Sequence, residues 1–266
     1  LVGYGTKVGL APLHNWLPDA HAEGPTPISA VLSGLLLNVA IYAVVRCKVL
    51  VEGSLHSALP SQMLMGFGLV SIVLAALFLW RQRDIKRLFA YSSIEHMGII
   101  TFAFGMGGPL ANFAGLLHMT MHSLTKSAIF YAVGNIAQAK GTQKIADIKG
   151  LTESHPVLGW GLVVGVAAIA GLPPLGIFMS EFLLVSSTFS RAPLLACLLV
   201  LGLLIAFGAL LTRLSGLAFG APQGSLAPVK ASYLPMFAHL ALVLGAGLYL
   251  PPPLVAWFQH VARILG

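Results

Sequence analysis

The chain has 266 residues, of which 57% are hydrophobic and only 9% charged, against about 25% charged in soluble domains. That balance excludes a water-soluble fold, and the net charge of +7 comes from Lys and Arg in loops, where membrane orientation accounts for it and nucleic-acid binding does not. Two cysteines, Cys47 and Cys197, lack the spacing of a zinc, haem or iron–sulfur site. With no GxGxxG and no P-loop sequence, no cofactor is expected on this chain.

The sequence opens on Leu1 rather than Met, without a charged stretch leading into an apolar core. No signal peptide is read, and the chain is expected to begin inside a longer sequence. Apolar runs of about 20 residues, enough to cross a bilayer, recur along its length. The reading is an all-α polytopic membrane protein with eight crossings.

The first crossing is expected from the N-terminus to about His21, broken near Pro12. The next four fall at about 28–48, 62–80, 86–106 and 109–138. The sixth covers about 156–190, broken at Gly171 to Pro174, and the last two about 192–213 and 233–250. The closing "LVAWFQHVARILG" is too short to span and is expected to lie along the interface.

Loops after the first, third, fifth and seventh crossings hold nine Lys and Arg, Arg213 and Lys230 among them, whereas the opposite side holds four: Arg46, Lys48, Arg191 and Arg263. The positive-inside rule makes the first side cytoplasmic. In a bacterial inner membrane the C-terminus would be periplasmic.

"GLAPLHNWLPDA" from Gly9 and "GLPPLGIFMSEF" from Gly171 share Gly, Leu, Pro and Leu at an offset of 162, with Asp19 answering to Glu181. Five crossings separate the copies, and because five is odd they run in opposite directions. The reading is an inverted five-helix repeat: 1–50 ends the first unit, 51–215 forms the second, and 216–266 carries the terminal helix and tail. At least three further helices are then expected upstream. Broken helices at matching positions of inverted halves point to a transport pathway near the midplane, since freed backbone groups are tolerated only where protein or water lines them.

A charge at the centre of a spanning helix costs about 2.5–3.5 kcal/mol on insertion scales, so those found there need a reason. Lys7 precedes the first break; a lysine snorkelling from a helix end is the plainer alternative. In "LLHMTMHSLTKSAIF", His118, His122 and Lys126 follow an i, i+4, i+8 spacing that stacks them on one helical face. Three such groups in register suggest proton conduction more than packing. Glu181 follows the second break. Glu95, beside His96 in the fourth crossing, reads equally as a pathway group or a structural partner to a nearby base. Asp19 lies in a polar stretch, which suits a cytoplasmic mouth or a turn, and His14, Asn15 and His21 could line the same wet entrance or serve as caps and anchors.

The stretches "GTKVGLAPLHNWLPDAHAEGPTPISAVLSGLLLN", "RDIKRLFAYSSIEHMGII", "LLHMTMHSLTKSAIFYAVGN" and "AGLPPLGIFMSEF" resemble the antiporter-like membrane subunits of respiratory complex I, membrane-bound hydrogenases and multisubunit sodium/proton antiporters. Within that superfamily they are most similar to hydrogenase-4 subunits of the F type. The resemblance implies a fourteen-helix proton-translocating subunit, of which this chain holds the seventh to fourteenth helices. It places Lys7 on the lysine of the first broken helix, Lys126 on that of the central relay, and Glu181 on the charged residue of the second broken helix. Where some relatives carry a lysine or histidine on the eighth helix, this chain has Ser33 and Asn38, so water would bridge there. The glutamate that pairs with the first lysine would lie upstream.

The expected function is proton translocation by a midmembrane Lys/His/Glu relay, driven by redox chemistry in partner membrane and peripheral subunits of an oxidoreductase complex, with none on this chain. Three alternatives stand beside it: a sodium/proton antiporter module, a non-conducting anchor, and a haem protein ligated through His118 and His122. The last is disfavoured because ligands four residues apart on one helix cannot take opposite faces of one iron.

Overall fold

The computed structural model describes residues 1–223, 227–228 and 231–266; Lys230, one of the expected loop cations, lies outside the described residues. The first expected crossing is two short helices, α1 (Val2–Val8) and α2 (Trp16–Glu23). The second runs without interruption from α3 (Thr26–Val31) through a π turn (Leu32–Leu36) into α4 (Leu37–Leu55). Then come α5 (Leu59–Leu79), α6 (Ile85–Met106) and α7 (Gly108–Lys140). A one-turn α8 (Leu151–Ser154) precedes the second broken pair, α9 (Pro156–Ile169) and α10 (Gly176–Arg191), which leads to α11 (Pro193–Ala218). The chain closes with α12 (Leu234–Leu248) and α13 (Pro252–Ile264), bent 78° from one another.

The expected boundaries need one correction of substance. Charge counting puts Arg46 and Lys48 in a loop, but both lie inside α4, which continues through apolar Val49, Leu50 and Val51 to a left-handed His56. Lys48 is buried and pairs with Glu52 at 2.9 Å, one turn on, so the helix carries its own counter-charge. Arg213 likewise falls within α11 and donates to the Trp80 carbonyl rather than standing in a loop.

By length and apolarity alone, Thr26–Leu55, Leu59–Leu79 and Pro193–Ala218 suffice to cross a membrane, and α12 with α13 would form a fourth if taken as one span. Their outward faces present large apolar side chains, Val39, Leu77 and Leu201 among them, to the surroundings. The other expected crossings fall short for physical reasons: the first and sixth are split by their breaks, and α6 and α7 carry polar groups on buried faces. In α6 only Arg87 and Tyr91 escape burial. The helix starts cleanly because the Asp84 carboxylate accepts from the Lys86 and Arg87 amides at 2.8 and 3.0 Å.

Of 33 residues, α7 is about 50 Å long at 1.5 Å per residue. It runs through the middle of the bundle against α3, α6, α9, α10, α12 and α13. Between α5 and α6 the packing is tighter still. A Cβ on Gly68 would lie 2.7 Å from the Phe102 amide nitrogen, and one on Gly98 would lie 2.8 Å from the Gly68 carbonyl oxygen. Small residues let helix backbones meet where the solvent supplies no hydrophobic drive. Replacing Gly98 with Leu should therefore push α6 from α5 and cost about 1–3 kcal/mol or more. A lowered unfolding midpoint of the assembled protein in detergent would register it, and an unchanged midpoint would refute the close approach.

Candidate functional site: a buried row of ionisable side chains

Lys126 is wholly buried in α7, and a lysine is costly to bury. Its ammonium donates to the Phe89 carbonyl at 2.9 Å and lies 5.8 Å from the centroid of the Phe89 ring. The same carbonyl accepts from Ser93 Oγ at 3.0 Å, and Ser93 shares a 2.8 Å hydrogen bond with Ser33 of the π turn. One backbone oxygen of α6 thus anchors a polar strand from α7 across to the second crossing.

From Lys126 the row continues along α7 and onto its neighbours. His122 is one turn earlier, and its ring centroid stands 5.5 Å from that of His96. His96 Nδ1 lies 2.9 Å from His118 Nε2, and His118 Nδ1 lies 2.9 Å from Ser180 Oγ, on the first turns of α10. The row admits two proton arrangements. While the Ser180 hydroxyl donates to the Ile177 carbonyl at 2.8 Å, neutral rings require His118 Nδ1 to donate to Ser180 and His96 Nδ1 to donate to His118 Nε2. When that hydroxyl turns to His118 Nδ1, each donor reverses and His96 Nε2 carries the hydrogen, with the Ile169 backbone within its reach. His96 Nε2 makes no hydrogen bond of good geometry among the described residues and stands 3.9 Å from Glu95 Oε2.

Two carboxylates finish the row. Glu95 is buried, Glu181 is partly buried, and both line a small cavity with Ile169, Ala170, Ala206 and Leu210. Its volume of about 20 Å³ holds roughly one water. Glu95 is within electrostatic reach of Lys126, as Glu181 is of Glu95. Glu181 also sits against the break: Gly171, at φ +69°, leaves the space that the Glu181 carboxylate fills. Among the described residues, His96, His118 and Glu181 form a cluster whose ligand-capable atoms all lie within 4.8 Å of one another.

The breaks are lined as lipid-depth backbone must be. At the first, Ser71 of α5 accepts from the Ala11 amide at 2.9 Å, and the Trp16 indole donates to the Thr6 carbonyl at 2.6 Å. At the second, the Leu172 amide donates to the Ala167 carbonyl at 3.0 Å and Gly247 of α12 leaves room for the Pro174 carbonyl. Both breaks contain a cis peptide, Ala11–Pro12 and Pro173–Pro174, at the prolines that the sequence motif aligns.

The remaining expected residues scatter. Lys7 is exposed on α1, apart from the buried row. Asp19, exposed, pairs with Arg87 at 2.8 Å, which joins α2 to the start of α6. His14 is buried near the Phe78 and Tyr91 rings. His21 is no wet-entrance residue in this arrangement: it is fully buried and stacked on Phe130 at 4.7 Å, with neither ring nitrogen hydrogen-bonded among the described residues. Asn38 donates to Ser123 Oγ at 2.6 Å and to the Met119 carbonyl at 3.2 Å, which ties the second crossing to α7.

With that geometry in hand, comparison with known proteins places the chain. Residues 1–208 match the family described as the transmembrane part of NADH:quinone oxidoreductase and Mrp antiporter subunits. The chain belongs to this family. It is 66% identical, over its whole length and 56% of the relative's, to a hydrogenase-4 component F homolog of Methylacidiphilum infernorum. NADH-quinone oxidoreductase subunit M of Pseudomonas aeruginosa is 32% identical over 95% of this chain and 50% of its own. In respiratory complex I from Thermus thermophilus, a chain of 25% identity superposes with a TM-score of 0.83, covering all of this chain and 57% of that one. The chain thus spans about half the length of the relatives it matches, and as an antiporter-like subunit of this family it is an integral membrane protein.

For a member of this family the sequence makes α7 legible and leaves α6 half-read. The stacked spacing of His118, His122 and Lys126 shows their common face, but nothing local shows that His96 bridges two of them, because that contact joins residues 22 apart. Ser93, Ser180 and the Phe89 carbonyl carry no signal at all. Lys86 counts as a loop cation in the sequence, yet it is buried with its ammonium donating to the Gly24 carbonyl at 3.0 Å.

The Asp19–Arg87 pair is solvent-exposed and should contribute less than about 1 kcal/mol; Asp19→Asn should leave thermal stability almost unchanged. Gly171→Ala should cost more than about 1 kcal/mol through its positive φ alone, and the added methyl must expel the Glu181 carboxylate. A structure of that variant with Glu181 unmoved would contradict the second expectation.

Proposed function

We propose that this chain carries protons across the membrane as a subunit of a redox-driven complex of the hydrogenase-4 or complex I kind. What supports this most is the row from Lys126 through His122, His96 and His118, all buried, to the partly buried Glu181 at a helix break. Each is a titratable side chain at a depth where a fixed charge would cost several kcal/mol, and the hydrogen bonds from His96 through His118 to Ser180 form a wire of alternating donors and acceptors. Buried nitrogens and oxygens without partners among the described residues, on His21, His122, His96 and Glu95, invite water that would complete it, since a buried polar group left alone costs about 1–3 kcal/mol.

In this reading a proton enters from the cytoplasmic side near α2, is held at Lys126 and leaves beyond Glu181 on the opposite, periplasmic side of a bacterial inner membrane. Lys7 would communicate with Lys126 through water bridged by Ser33 and Asn38. Partner membrane and peripheral subunits supply the drive: a charge gained at one end shifts the proton affinity of the next group by Coulomb interaction, which is strong at low dielectric. The sodium alternative is weaker here because a sodium ion needs several oxygen ligands at one point, and the middle of this row offers imidazole nitrogens.

The test uses the assembled complex in vesicles with a pH-sensitive dye. Lys126→Ala, and the volume-conserving Lys126→Met beside it, should reduce proton pumping by roughly 10²-fold with subunit content unchanged. Pumping retained in both variants would favour the non-conducting anchor. A ²²Na⁺ flux coupled to turnover in the unaltered complex would move the reading to a sodium/proton antiporter.

A further inference from the structure

The cluster of His96, His118 and Glu181 has a chemistry that proton conduction does not require. Two imidazoles and one carboxylate are a donor set suited to borderline divalent metals, and three protein ligands with an open fourth position are the pattern of reactive zinc sites. We propose that His96, His118 and Glu181 form a binding site for a divalent transition-metal ion of the zinc type, occupied in competition with the proton row.

Four observations carry the assignment. First, the ligand-capable atoms lie within 4.8 Å of one another, whereas ligands about 2.1 Å from one tetrahedral ion stand about 3.4 Å apart. Side-chain rotations of Glu181, on the first turns of α10, and of His96 would supply the difference. Second, one of the two proton arrangements suits a ligand set. While Ser180 donates to the Ile177 carbonyl, His118 keeps its Nδ1 hydrogen on Ser180, the outer hydrogen bond that orients a ligating imidazole, and its Nε2 lone pair becomes free once the hydrogen bond to His96 is given up. His96 Nε2 makes no hydrogen bond of good geometry among the described residues, and a turn of its ring brings that nitrogen to the ion. Third, Glu181 also lines a cavity of about 20 Å³, room for roughly one water that could supply the fourth ligand. Fourth, charge can balance: Glu95 and Glu181 line that cavity together, and a divalent ion that displaces the proton from each carboxyl group leaves no net charge at a place where one would be costly.

An ion held by both imidazoles replaces the 2.9 Å hydrogen bond between His96 and His118. Metal and proton wire therefore exclude each other, and the metal acts as a plug. That consequence rests on the proton reading above; the binding itself does not.

The binding test needs no turnover. Metal-stripped complex, purified whole, is titrated with Zn²⁺ against a chelating dye, and the Zn K-edge X-ray absorption is compared with that of Glu181→Gln, His118→Gln and Ser180→Ala complexes. The expected result is one site with two imidazoles and at least one oxygen at about 2.0–2.1 Å. That site is absent in the two ligand variants and weakened roughly 10- to 100-fold in Ser180→Ala, which removes an orienting hydrogen bond and no ligand. Equal affinity and identical spectra in unaltered and variant complexes would overturn the site. Should the ligand variants fail to assemble, an unaltered-complex spectrum without imidazole scattering, or an unchanged affinity in Ser180→Ala, overturns it equally. Proton pumping that survives Lys126→Ala would remove the plug and leave this readout standing.

Discussion

An ammonium group that lipid cannot solvate sets the terms for this molecule. An uncompensated charge inside a spanning helix costs about 2.5–3.5 kcal/mol on insertion scales, and the buried Lys126 is met by one α6 carbonyl, one aromatic face and the nearby Glu95 carboxyl group. None of these is adjacent to it in sequence. The helix that supplies them has to be held against α7 and kept from lipid. So α6 is buried over nearly its whole length, and the apolar work of facing the bilayer falls to α4, α5, α9, α11 and α12. A polar middle and an apolar rim are one arrangement viewed from two sides.

The breaks follow from the same constraint. A helix interrupted at membrane depth frees amides and carbonyls that must find partners inside the protein, and here they find Ser71, Trp16 and the residues packed around Pro174. At the second break the opening is immediately used. Gly171 has no side chain and a positive φ, which lets the Glu181 carboxylate fold back against the interruption and face the Glu95 cavity. The glycine, the prolines and the acid act as a unit, which explains why a short motif carries all of them within a dozen residues.

That motif is also why so much of the molecule is legible in its sequence. A helical spacing and two near-identical breaking segments are local signals, so the stacked face of α7, the positions of both breaks and the all-α membrane character can be read directly. The family resemblance rests on equally local stretches. What escapes is set by contacts between distant segments. His96 reads as a companion of Glu95, yet it pairs with His118 and lies against the His122 ring; His21 reads as a wet-entrance residue or an anchor, and it stacks on Phe130 beneath α2. Arg46 and Lys48 read as loop cations because charge counting stops a helix too soon, whereas a Glu one turn on lets α4 run past Lys48 to Leu55. Pairing within a helix hides charge from composition-based boundaries.

The order of groups along the row has its own logic. The end nearest Lys126 is built of an amine and backbone carbonyls, and the end nearest α10 of carboxyl groups around a water-sized cavity, with imidazoles between. On the proposed function, neutral rings pass a proton by giving up one hydrogen as they take another and then reorienting, so the middle of the row stores no charge at rest. The amine and the carboxyl groups stand at its ends, where a proton gained or lost is felt across the imidazoles. A perturbation at either end therefore alters the field on every ring between, and the middle of the row needs no permanent charge to respond.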